Sequence, residues 1–82
     1  GWNLMIQFCE VNNLDSISDD AKEILCEMIF QMGYSGVGKF KNMIKALQNN
    51  DTKIASIEML DSRWAKQTPN RAKELSDHMA KA

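Results

Sequence analysis

Histidine is nearly missing from this sequence, and cysteine and proline are scarce. One histidine (His78), two cysteines (Cys9 and Cys26) and one proline (Pro69) stand among 82 residues. His78 lies near the C-terminal end with Asp77 beside it in sequence rather than a helical turn away, so it reads as a surface residue. The cysteines lack the CxxC spacing of a metal or redox pair, and both fall on apolar helical faces. They read as buried, reduced thiols, with a disulfide or a metal as the alternative. That usage suits a reducing compartment. No metal site and no cofactor is expected. No apolar run nears the ~18 residues of a membrane span. The opening GWNLMIQFCE has neither the basic region nor the small-residue cleavage site of a signal peptide. The net charge is only −1, which gives no overall signal for binding nucleic acid. Hydrophobicity nowhere alternates with period two for long, so no strand is expected. Repeats and low-complexity stretches are also missing.

What is present is helical periodicity. The sequence is 44% apolar, enough for one small domain with a core. The strongest stretch is Ser18 to Phe40. Ala21, Ile24, Leu25, Met28, Ile29 and Met32 follow the i, i+3, i+4, i+7 rule. Cys26 and Phe30 add a second apolar row, and only Glu23, Glu27 and Gln31 make a polar strip. Such a helix is expected at the centre of an all-α domain, surrounded by other elements. Ser18 suits an N-cap, Asp19 and Asp20 suit the positive end of the helix dipole, and Gly33 suits the C-terminal stop.

Before it, Trp2, Met5, Ile6 and Cys9 form one stripe, and Leu4, Phe8 and Val11 another. This helix has no visible cap, so the chain is expected to begin inside a longer helix, with Gly1 a cloning remnant. Asn12-Asn13 ends it. After Gly33 come tight turns at Gly36 and Gly38. Phe40, Met43, Ile44 and Leu47 then make an amphipathic helix with Lys39, Lys41 and Lys45 on its wet side. Asp51 caps the next helix, in which Ile54, Ile57 and Leu60 are expected to face inward with Ala55 and Met59. Ser62 to Lys66 reads as a short turn carrying Trp64. Thr68-Pro69, a capping hydroxyl followed by proline at the first helical position, starts the last helix, which buries Ala72, Leu75, Ser76 and Met79. The expected fold is a compact bundle of about five main helices. Its expected core includes Leu25, Met28, Ile29, Phe30, Phe40, Ile44, Leu47, Ile57 and Trp64.

Charge is uneven. Residues 1–34 hold one base against six acids, net −5; residues 35–82 hold nine bases against five acids, net +4. That asymmetry can steer an anionic ligand to one side, although a solvated surface with no partner is more often its cause. Gly33, Gly38 and Lys39 mimic a phosphate loop, GxxxxGK[ST]. Position 40 is Phe, and a helix precedes where a strand is required, so nucleotide binding is rejected. No nucleophile stands with a base, and no pair of carboxylates with separate roles is visible. Three residue types are odd for their place. Gln31 ends the most apolar helix, Trp64 carries an N–H that wants a partner, and Arg63 and Arg71 flank the proline turn. A Gln31–Trp64 contact is either structural or part of a cleft wall.

Phe30-Gln31-Met32-Gly33, then Gly36-Val37 with Phe40, then Ser62-Arg63-Trp64 and Gln67-Thr68-Pro69-Asn70-Arg71-Ala72 are similar, in order and spacing, to the C-terminal lobe of phage T4-type lysozymes. The resemblance covers roughly Asp15 to Lys73. It implies that residues 1–13 are the end of the helix joining two lobes and that 14–82 form the C-terminal lobe. It implies a muramidase that cleaves peptidoglycan, with the catalytic glutamate, aspartate and threonine in an N-terminal lobe that this sequence does not contain. Glycoside hydrolysis needs an acid opposite a second group, and no residue here corresponds to either, so no catalytic residue is assigned. By resemblance, Phe30 and Gln31 face substrate, Trp64 hydrogen-bonds Gln31, and Arg71 pairs with the missing lobe's glutamate. Arg71 is therefore expected to lack that carboxylate partner within this chain. Two further substrate contacts, a serine and an asparagine in the family, fall at Met43 and Glu58. The implied partners are a peptidoglycan glycan or peptide stem and the N-terminal lobe. The implied setting is phage-encoded: host cytoplasm, then release to the periplasmic cell wall. The alternative is a non-catalytic binding or regulatory module that docks onto another protein.

Overall fold

The computed structural model describes residues 2–82; Gly1, the suggested cloning remnant, lies outside them. The described residues form seven helices and no strand. They are α1 (Trp2–Val11), α2 (Asp19–Met32), α3 (Tyr34–Gly38), α4 (Lys41–Gln48), α5 (Thr52–Leu60), α6 (Arg63–Gln67) and α7 (Pro69–Lys81). Five are long and two, α3 and α6, are single short turns, which is the all-α bundle that the periodicity predicts.

The helix ends follow local chemistry. Ser18 Oγ accepts from the Ala21 N–H at 3.2 Å and starts α2. Gly33, at φ +84°, closes α2 and donates its N–H to Ile29 O at 2.8 Å. Helices α1 and α4 end alike. Asn13 and Asn50 both take φ +58°, and the next N–H reaches back to Cys9 O and Ala46 O, each at 2.8 Å. That is the six-to-one closure in which asparagine substitutes for glycine. Gln48 Nε2 donates to Asn12 O at 2.7 Å and ties the two ends together. Asp51 Oδ1 caps α5 through the Ile54 N–H at 3.2 Å, and Pro69 opens α7.

The core runs from Met5, Phe8 and Cys9 through Leu14, Leu25, Met28 and Ile29 to Met43, Leu47, Met59, Trp64 and Met79. Four expectations fail. Phe30 is 85% exposed and Ile57 64% exposed, so neither belongs to the core. Ile54 and Leu60 also face water, while Ala55, Ser56 and Met59 turn inward against α4 and α7. The reason is close approach: small side chains let α5 lie against α7, the most extensive helix pair in the fold. Finally, α2 is not surrounded. Its second apolar row ends in exposed Phe30 and half-buried Cys26, and Gly36 and Gly38 lie within α3 rather than in turns.

Candidate functional site

Two segments enclose a groove of about 410 Å³. The end of α2, α3 and the start of α4 supply Met32, Gly36, Lys39 and Phe40; the end of α5 and α6 supply Glu58, Asp61, Ser62, Arg63 and Trp64. Lys41, Asn42 and Met43 complete it. Trp64 is held from several sides. Ser62 Oγ accepts from the Ala65 N–H at 3.2 Å and donates to Met59 O at 2.8 Å, which sets the α6 turn. Thr68 Oγ1 donates to Trp64 O at 3.0 Å. The Phe40 ring meets the indole edge-on, centroids 6.3 Å apart and planes at 68°. The indole Nε1–H donates to Gln31 Oε1 at 3.0 Å, bridging α6 to the end of α2. A buried indole whose N–H is satisfied is a rigid wall.

The groove is charged on both signs. Lys39, Lys41 and Arg63 face Glu58 and Asp61 around it, and among the described residues none of the five forms an ion pair. No cluster of metal-ligating side chains occurs among the described residues.

The sequence-predicted residues divide between two places. Trp64 and Glu58 line this groove, and Gln31 is bonded to Trp64 at its edge. Met43 is fully buried beneath it. Phe30 lies elsewhere, in a second groove of about 460 Å³ with Trp2, Glu23, Cys26 and Glu27. Arg71 is not left without an acid. Its Nη2 donates to Glu27, and its Nη1 donates to Glu74 Oε1 at 3.1 Å. Both pairs are largely exposed to water. The sequence does not reveal Glu27 as this partner, because it is 44 positions from Arg71 and falls on a polar strip; only the packing of α2 on α7 brings them together. Nor does the sequence reveal Lys39, Lys41 and Asp61 as groove residues, since a lysine on a wet helical face carries no sign of what it overhangs.

Fold and groove together define a small all-α lobe with an aromatic-walled cleft on one side. Comparison with known proteins supplies the particular relationship: the chain is related to T4-type lysozymes. It is 44% identical over 61 residues to "Probable T4-type lysozyme 2" of Dictyostelium discoideum, covering 74% of this chain and 34% of that protein. It is 40% identical over 60 residues to "Probable T4-type lysozyme 1" of the same organism, covering 73% of this chain and 34% of that protein. The match thus spans about a third of the length of these relatives. No family model and no solved structure matches.

Proposed function

We propose that this chain acts as the C-terminal, substrate-positioning lobe of a lysozyme that cleaves peptidoglycan, and that it is inactive without an N-terminal lobe. The observation that carries this reading is the Trp64–Gln31 clasp on the edge of the charged groove, in a chain related to T4-type lysozymes. Half-buried Phe40, backed by the buried Trp64 indole, offers an apolar surface of the kind sugar rings and peptide side chains pack against. Lys39, Lys41 and Arg63 suit the carboxylates of a peptide stem, while Glu58 and Asp61 suit its ammonium groups. Phe30 and Arg71 would face the other lobe across the second groove. The phage setting belongs to the same proposal.

Titration of the labelled chain with muropeptides, followed by NMR, tests it. Shifts are expected at the Trp64 indole N–H and at Met32 and Glu58, and permeabilised Gram-negative cells should not clear. Clearing by the chain alone, or shifts confined to other surfaces, would overturn the reading.

A second reading is a non-catalytic module that docks onto a protein. One observation favours it: two exposed aromatics, Trp2 at 51% and Phe30 at 85%, line the same groove.

A further inference from the structure

Helix α5 carries two apolar faces, and the fold covers one. Ala55 and Met59 are fully buried with Ser56 on the side packed on α4 and α7. Ile54, Ile57 and Leu60 face water, at 49%, 64% and 46% exposure. They recur every third residue and so fall within a sector of about 120°. A helix apolar on all sides is ordinarily covered on all sides. Exposed aliphatic residues scattered singly need no explanation, but a contiguous stripe of them does.

The charges on this face say what covers it. Lys53 and Asp61 lie four residues before and four after Ile57, each within about 40° of it around the helix. Neither forms an ion pair with any described residue. We propose that α5 pairs antiparallel with α5 of a second copy of this chain, about a two-fold axis passing at Ile57. Such an axis sets each position before 57 level with the matching position after 57 on the partner. Ile54 then lies level with Leu60, Ile57 meets Ile57, and Lys53 lies level with Asp61 across the seam at both ends of the pair. A parallel pair would set Lys53 against Lys53 and Asp61 against Asp61. The charge pattern therefore selects the antiparallel pair, which is isologous and closed. Three aliphatic side chains per copy bury only a few hundred square ångströms, so the dimer is weak and depends on concentration.

Sedimentation equilibrium across a concentration series tests this on the whole chain. The mean mass should climb from 9.3 kDa toward twice that value. Ile57→Glu should raise the dissociation constant at least about tenfold, as loss of a central anchor does, and leave the melting curve in place. Ile6→Glu, on the exposed side of α1, should leave the dimer unchanged. Lys53→Asp and Asp61→Lys should each weaken self-association. Mixed one to one, these two chains should pair with each other, because the mixture restores opposite charge at both levels. The chain carrying both changes should dimerise as the unaltered one does. A mass of 9.3 kDa at every concentration overturns the proposal. So does a dimer that survives Ile57→Glu or ignores the charge exchange, and so does a stripe that binds only an unrelated apolar helix.

Discussion

Trp64 illustrates how much one side chain does here. It fills the space under the groove, meets Phe40 edge-on and joins α6 to α2 through Gln31. Trp64→Ala should cost about 3–5 kcal/mol in stability, as large-to-small core changes do. Gln31→Ala removes only a hydrogen bond at a rim open to water and should cost about 0.5–1.5 kcal/mol. Urea midpoints of the two variants check the ratio, and equal midpoints would mean the indole is held by its N–H rather than by packing. Cys9 and Cys26 differ in the same concrete way. Burial pushes the Cys9 thiol above its ordinary value of 9.0; Asp15 adds to that, and Lys22 opposes it. Its Sγ sits 3.7 Å from Met5 Sδ, out of reach of solvent. Iodoacetamide at neutral pH should therefore label Cys26 first. The pH dependence has a definite sign. An acid whose folded value is raised stabilises the fold fully below its unfolded value, and that stability is lost as pH rises through the folded one. Melting temperature should thus fall as pH climbs past 9.0, and less steeply in Cys9→Ala. A slope unchanged by that substitution would place the loss on another group.

At the scale of the element, helix ends were legible and helix faces only partly so. Ser18, Gly33, Asp51 and Pro69 mark boundaries because each satisfies or omits a specific backbone group, whereas the Thr68 hydroxyl, expected to cap α7, caps no α7 N–H and bonds Trp64 O instead. Helix α5 was misread because Ile54, Ile57 and Leu60 outweigh Ala55 and Ser56 in any tally of hydrophobicity. Packing chose the smaller residues, since α7 comes close enough to need them. Phe30 fails for a related reason: an apolar residue kept in water has the same pattern as one kept in the core. Ala55→Leu should consequently cost about 1–3 kcal/mol by overpacking. Phe30→Ser should stay within about 0.5 kcal/mol. The two glycines that border α3 make a sharper pair. Gly33 stands at φ +84° with open space around a would-be Cβ, so Gly33→Ala should cost about 1–3 kcal/mol through backbone strain alone. Gly38 has the same open space and no positive φ, so Gly38→Ala should gain about 0.4–1 kcal/mol. Thermal melts that move both variants in one direction would remove the conformational explanation. The groove was half legible. Trp64 stands out as a type, whereas Lys39, Lys41 and Asp61 need the packing of α4 on α5 to line one groove.

For the molecule as a whole, the decisive group is the Arg71 guanidinium. It sits where α7 passes α2, engaged by Glu27 from one side and Glu74 from the other, and all three side chains are open to water. Exposed ion pairs contribute about 0–1 kcal/mol, so Arg71→Ala should scarcely move the melting temperature. Its consequence lies in docking. If an N-terminal lobe offers a carboxylate to Arg71, as the proposed function requires, that carboxylate approaches a cation already shared by two acids. Glu27 then repels the newcomer and competes for the same N–H groups. Removing Arg71 should weaken binding of a separately expressed N-terminal lobe, while Glu27→Gln should tighten it by freeing one face of the guanidinium and deleting the opposing charge. Both effects should shrink in high salt, because every group involved is solvated. Calorimetric titration of the lobe into the three chains separates the possibilities. Tighter binding by Glu27→Gln together with weaker binding by Arg71→Ala supports a lobe-facing arginine held in reserve by its own chain. A large loss of stability in Arg71→Ala with lobe binding unchanged would make Arg71 a structural brace between α2 and α7 and withdraw it from the interlobe surface.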